Sequence, residues 1–171
     1  MQCFVPAFFS SFLSLLTASL LLASPVARAQ TQEQFTRNAQ AFAARAAFPM
    51  VAVQETSPGQ WVQIQARATG AKWAIKPAAA NSTALVATVT VDVYWVVSET
   101  KPTRDEAADQ GDLVANRVER LELEYLPVSG GWAFARGRST ARGQTTELQA
   151  SPPSAGFVPS AWAAQGFVVK P

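Results

Sequence analysis

The side chains of this 171-residue chain that can do chemistry are few, and the gaps among them exclude as much as the residues themselves suggest. There is no His, and the single Cys is Cys3. Without imidazole there is no Ser-His-Asp or Cys-His nucleophile system, no His-ligated metal and no side chain that normally titrates near neutrality. The ordinary ligands of zinc and haem are missing with it. No catalytic residue, metal or cofactor is therefore expected. Carboxylates and guanidinium groups remain. Asp92 stands beside Tyr94 in a largely apolar run, and a carboxylate so placed can serve as a general base. Thr88 and Thr90 have the same parity and point instead to a face turned to water. Glu122 and Glu124, at i and i+2, face the same way on a strand, the minimum for glycosidase-type chemistry. With Glu119 they can equally pair with arginines across a hairpin, and such surface pairs contribute only about 0–1 kcal/mol each. Asp105, Glu106, Asp109 and Asp112 resemble a calcium loop, but Gln110 falls where the EF-hand needs Gly, so a solvated loop is expected.

Arg136, Arg138 and Arg142 cluster in two Ala-Arg-Gly triplets that suit an anionic group or an acidic partner. Basic and acidic residues otherwise nearly balance, 14 against 12. No basic stripe marks a nucleic-acid binder. The sharpest candidate comes from a hairpin around Pro127–Gly131. An even loop places Val128 opposite Gly131, Tyr125 opposite Phe134, Leu123 opposite Arg136 and Leu121 opposite Arg138. Glu122 then meets Gly137 and Glu124 meets Ala135. A one-residue slip would move apolar residues to the wrong face. In this register Arg136 shares the helix-facing side with Trp132 and Phe134. It either snorkels to the rim of the sheet or, with Tyr125 and Trp132, forms a site for an anionic ligand. Arg136, Tyr125 and Trp132 are the ligand-binding residues expected.

These groups must be positioned by what surrounds them. Residues 4–27 carry no charge, and Phe8–Ala23 is an apolar run that leads to Ala27-Arg28-Ala29, the small-x-small pattern of a secretory cleavage site. A signal peptide over 1–29 is expected, with the exported chain beginning at Gln30 and lacking Cys. If uncleaved, the same run would be a membrane anchor, and it is the only membrane contact foreseen. Gln30–Phe48 carries Phe35, Ala39, Phe42 and Ala46 at helical spacing, with Thr31 and Gln34 as a capping box and Pro49 as the stop. From Met50 the period becomes two. Val51–Gln54 predicts a short strand and Ser57-Pro58-Gly59 a turn. Trp61–Ala68 and Lys72–Lys76 predict a hairpin punctuated by Gly70. Thr83–Ser98 predicts a long strand with Leu85, Ala87, Val89, Val91, Val93, Trp95 and Val97 on one face. Thr103 and Glu106 cap a helical turn that ends at Gly111. Leu113–Leu126 and Trp132–Arg142 form the long hairpin, with a bulge near Glu119–Arg120 to reconcile the parity of Val114 and Val118 with that of Leu121. The tail from Gln149 is rich in Pro, Ala and Gly, but Phe157, Trp162 and Phe167 imply that it is anchored.

This order predicts an α+β fold: one N-terminal helix packed on a strongly curved antiparallel sheet of about five or six strands. The domain spans 30–148 and the aromatic tail 149–171. Leu121–Arg138, LELEYLPVSGGWAFARGR, resembles the last hairpin of small exported domains of the nuclear-transport-factor-2-like (SnoaL-like) class. The single helix resembles a cystatin-like roll. The resemblance implies a conical roll, often with a pocket between helix and sheet, but it transfers no functional residue, because its catalytic members often use an Asp–His pair and this chain has no His. The function expected is non-catalytic binding of a small ligand or an envelope protein in the periplasm or outside the cell. The alternatives are a small-molecule enzyme using Asp92, Tyr94 or an Arg, and a structural envelope protein docked through its tail.

Overall fold

The period-two alternation becomes six antiparallel strands joined in chain order, so that every strand pairs with its sequence neighbours and the sheet stays open. The computed structural model describes residues 25–80, 82–109, 113–149 and 156–170. The elements are α1 (Pro25–Ala46), β1 (Met50–Ser57), β2 (Gln60–Pro77), β3 (Leu85–Ser98), α2 (Arg104–Ala108), β4 (Leu113–Val128), β5 (Gly131–Ala141), β6 (Gln144–Gln149) and α3 (Pro159–Gly166). The fold class is the one expected: α+β, a helix followed by a six-stranded antiparallel sheet. The apolar run Phe8–Ala23, Cys3 and the helix-ending Gly111 lie outside the described residues. No helix among the described residues is long and apolar enough to cross a membrane.

One face of the sheet carries the core. Phe35, Ala39, Phe42 and Ala46 of α1 meet Ala68, Leu85, Ala87, Val89, Val91, Val93, Leu121, Leu123 and Tyr125. The aromatic residues fill the space between helix and sheet. Phe35 packs on Tyr125 and Trp132, with ring centroids 5.5 and 5.0 Å apart, and Phe42 packs on Phe167 at 4.7 Å. Phe35, Tyr125 and Trp132 are fully buried. Burying such rings stabilises by roughly 1.5–3 kcal/mol each. The tail belongs to this core. Ala163, Ala164 and Phe167 are buried in it, and Val169 bridges Trp132 through paired backbone hydrogen bonds of 2.9 and 3.0 Å. The two Gly-Phe-Val copies do different work. Gly156-Phe157 docks on the Gln54 side chain, whereas Gly166 touches the Phe42 ring.

Four local expectations are corrected. First, Thr31 is not an N-cap here, because α1 already begins at Pro25; Thr31 instead offers its carbonyl to the Trp132 indole at 3.0 Å. Second, Trp61–Lys76 is one strand and not a hairpin. Gly70 has φ +65° and opens a bulge between Thr69 and Lys72, so the strand shifts parity without turning back. That is why Ala66 and Ala68 face the core from even positions while Trp73 and Ile75 do so from odd ones. Third, no bulge lies near Glu119–Arg120. β4 keeps one register against β3 from Tyr125 to Ala115, which turns Val118 outward, 56% exposed. Fourth, the β4–β5 register holds only at its turn. Val128 faces Gly131 and Tyr125 faces Phe134, but Glu124 faces Arg136, Leu123 faces Gly137 and Leu121 faces Ser139. Ala135 is the extra residue. A sixth strand follows a tight turn at Arg142-Gly143, both with positive φ, the geometry of hairpins closed by primed turns.

Elsewhere the local expectations hold. Thr103 caps α2, its hydroxyl accepting from the Glu106 amide at 3.3 Å. The burial of β3 alternates as read up to Tyr94 and then inverts, so that Val96 and Ser98 of the opposite face are covered. Ser98 Oγ accepts from the Gln63 amide, and the Gln63 side chain donates to the Ala108 carbonyl of α2 at 3.0 Å. α2 thus covers the far end of the face that α1 leaves free.

Candidate functional site

The face of the sheet turned away from α1 is polar, and its relief follows from side-chain length. Thr88 and Thr90 of β3 are short. Glu122 and Glu124 of β4, Arg136 and Arg138 of β5 and Glu147 of β6 are long and stand beside them. The result is an open depression of about 420 Å³ with the threonines at its floor. Strand pairing sets the order of the groups. One row reads Lys72, Thr90, Glu122, Arg138 and Glu147; the next reads Ala74, Thr88, Glu124, Arg136 and Gln149.

The charges are partly spent on each other. Arg136 is ion-paired with Glu124, and this hydrogen-bonded guanidinium holds the Glu124 carboxyl below its ordinary value. Arg138 donates to Glu147 at 2.9 Å. Further along the face, Arg120 holds Asp92 at 3.1 Å, and the Arg67 guanidinium lies over the Tyr94 ring at 5.0 Å. Asp92 is therefore solvent-facing and paired. Glu122 lines the depression, and its side chain has no hydrogen bond or ion pair among the described residues. The arrangement offers one unpaired carboxylate, two hydroxyl-bearing floor residues and two neutralised guanidinium groups. It can bind a polar or charged group. It presents no activated nucleophile.

The three residues expected to bind a ligand together are not brought together. Tyr125 and Trp132 are fully buried in the core, where the Tyr125 hydroxyl donates to Ala164 at 2.7 Å and the Trp132 indole donates to Thr31. Arg136 is on the opposite face, its side chain 74% exposed. The cause is Ala135. Its insertion reverses the parity of everything beyond it on β5, sending Arg136 outward and Gly137 inward. Gly137 fits there because a Cβ would stand 2.7 Å from the Glu122 carbonyl and 2.8 Å from the Leu123 side chain.

A second polar cluster lies on the core-bearing face. Glu119 is buried at 7% exposure. One carboxylate oxygen accepts from Ser139 Oγ at 2.8 Å; the other accepts from Trp95 Nε1 at 3.2 Å and faces Arg117 Nε at 3.1 Å. The Arg117 guanidinium also stands 5.9 Å from the Trp95 ring centre. Both oxygens are engaged by donors, so the group joins β3, β4 and β5. Glu119 is thus not the surface partner that its charged neighbours suggest. Its odd-numbered parity with Leu121, Leu123 and Tyr125 was the signal that it points inward.

Among the described residues no three acidic or sulfur side chains gather in a way that could hold a metal ion. No protein-family model, no curated protein and no solved structure matches the chain.

Proposed function

We propose that this chain is a small exported domain without catalysis, which binds a ligand or partner in the bacterial cell envelope through the depression on the outer face of its sheet. The reading joins a signal segment at 1–29, residence in the periplasm or outside the cell, and a roll of the nuclear-transport-factor-2-like or cystatin-like kind. One observation carries it. The space between helix and sheet, where a roll would hold a small substrate, is filled by Phe35, Phe42, Tyr125, Trp132 and Phe167. The polar depression lies on the other side. The tail packs into its own domain, which removes the support for docking through a free aromatic tail. Asp92 and Tyr94, the groups an enzyme would use, are occupied by Arg120 and Arg67.

The test fills the depression. Thr90→Lys places a long side chain in it, at a position of intermediate exposure. Envelope material retained by the immobilised wild-type chain, and lost with Thr90→Lys at an unchanged unfolding midpoint, supports the reading. Equal retention by both places binding elsewhere. Cell fractionation with intact-mass measurement tests the export step separately.

A further inference from the structure

The two edges of the sheet are guarded differently. An edge strand exposes unpaired backbone N–H and C=O groups, and proteins protect such edges with charge, proline or bulges. On β6 the edge carries Glu147, ion-paired with Arg138. On β1 the five residues Met50-Val51-Ala52-Val53-Gln54 carry no charge, no proline and no bulge. Pro49 and Glu55 flank them directly, and a register shift follows between Glu55 and Ser57. Val51 is 52% exposed, and Phe48, just ahead of the strand, is 74% exposed. No other described strand pairs with this edge; at its end the Phe157 amide donates to the Gln54 side chain.

The pattern of these five residues suits one partner in particular. We propose that the edge of β1 pairs with β1 of a second copy of this chain, antiparallel about a two-fold axis at Ala52, so that two sheets become one. In that register Val51 faces Val53 of the second copy and Met50 faces Gln54. Even residues stay on the core-bearing face and odd residues on the outer face, as continuity of both layers demands. Glu55 falls opposite Pro49, so no two carboxylates meet. A register centred on Val53 would instead set Val51 against Glu55 and is disfavoured. The contact is isologous and closes after two copies, leaving the charged β6 edges at the ends of the joint sheet. The inference stands apart from the ligand reading, because the depression lies over β3 to β6 and does not reach β1.

Sedimentation or light scattering of the chain purified as the cell makes it gives the mass at rising concentration, with a dimer expected. Val51→Lys with Val53→Lys sets two like charges opposite each other on both sides of the axis. The dissociation constant should rise about tenfold or more. Val51→Lys with Val53→Glu puts opposite charges in the same places and should restore the dimer. Circular dichroism of both double variants separates dissociation from misfolding. In a Cys3→Ser background, Ala52→Cys should cross-link to itself under mild oxidation faster than Met50→Cys, because only a residue on the axis meets its own copy. A monomer at the highest soluble concentration, a dimer indifferent to the paired lysines, or a failure of the Lys–Glu combination to restore it overturns the proposal.

Discussion

The Tyr125 hydroxyl donates a 2.7 Å hydrogen bond to the carbonyl of Ala164, fastening the long hairpin to the last helix of the chain. Tyr125→Phe keeps the ring and its contacts with Phe35, Phe134 and Phe167 while removing this bond. The expected loss is about 0.5–1.5 kcal/mol, seen as a lower denaturant midpoint at neutral pH. Tyr125→Ala should cost about 3–5 kcal/mol, because it also opens a cavity. Equal losses for the two would show that the hydroxyl bond, and not the ring, holds the tail.

Burial pushes the Tyr125 phenol far above its ordinary value of 10.0. Once pH passes about 10 the unfolded chain releases this proton and the folded chain keeps it. The stabilisation from the neutral buried phenol is complete below that pH and is lost as pH rises above it. Unfolding midpoints taken from pH 8 upward should fall more steeply for the wild type than for Tyr125→Phe beyond about pH 10. Parallel curves would mean that the phenol titrates freely in the folded state.

Much of the architecture was legible because it rests on periodicity. The Phe35–Ala46 stripe, the β3 alternation and the Thr103 cap each follow from local spacing. What the spacing hid were single-residue insertions. Gly70 lets β2 shift parity without turning, and Ala135 does the same on β5. A bulge is one residue without a cross-strand partner, and its position depends on packing between strands. Arg136 shows how far such an error propagates. The turn at Ser129-Gly130 lies where the alternation puts it, yet the single extra residue Ala135 carries Arg136 to the other side of the sheet from Tyr125 and Trp132. Glu119 was missed for a related reason, since Glu between charged neighbours looks like surface until its parity is counted.

Glu119 supplies the next expectation. Glu119→Ala leaves the buried Ser139 Oγ and the half-buried Trp95 Nε1 without their acceptor, for about 1–3 kcal/mol at the buried hydroxyl and less at the indole. Ser139→Ala removes one donor and leaves the other contacts, so it should be the milder change. Indole fluorescence should shift with Glu119→Ala, through Trp95, and far less with Ser139→Ala. The reverse order of stability would mean that the carboxylate is held there at a net cost.

Gly131 lets the tail approach. A Cβ at that position would stand 2.0 Å from the Val169 carbonyl oxygen. Gly131→Ala should break the Trp132–Val169 bridge and cost about 1–3 kcal/mol, with faster hydrogen exchange at those two amides. Gly59→Ala is the control: its Cβ meets nothing within 4 Å, so its effect comes only from the backbone at φ +70°. Unchanged exchange at Trp132 and Val169 in Gly131→Ala would show that the tail can shift to accept a methyl group.

The Asn38 side chain donates to the carbonyls of Gly166 and Val168, and Phe42 is walled by Trp162 and Phe167. The first helix is therefore completed by residues made more than 100 positions later. A ribosome that has delivered α1 and all six strands has still not delivered the wall of Phe42. The core cannot be finished until α3 has been made, and contacts this distant in sequence close slowly. The contacts of α3 with α1 thus act as a latch that closes only after the strands have been made.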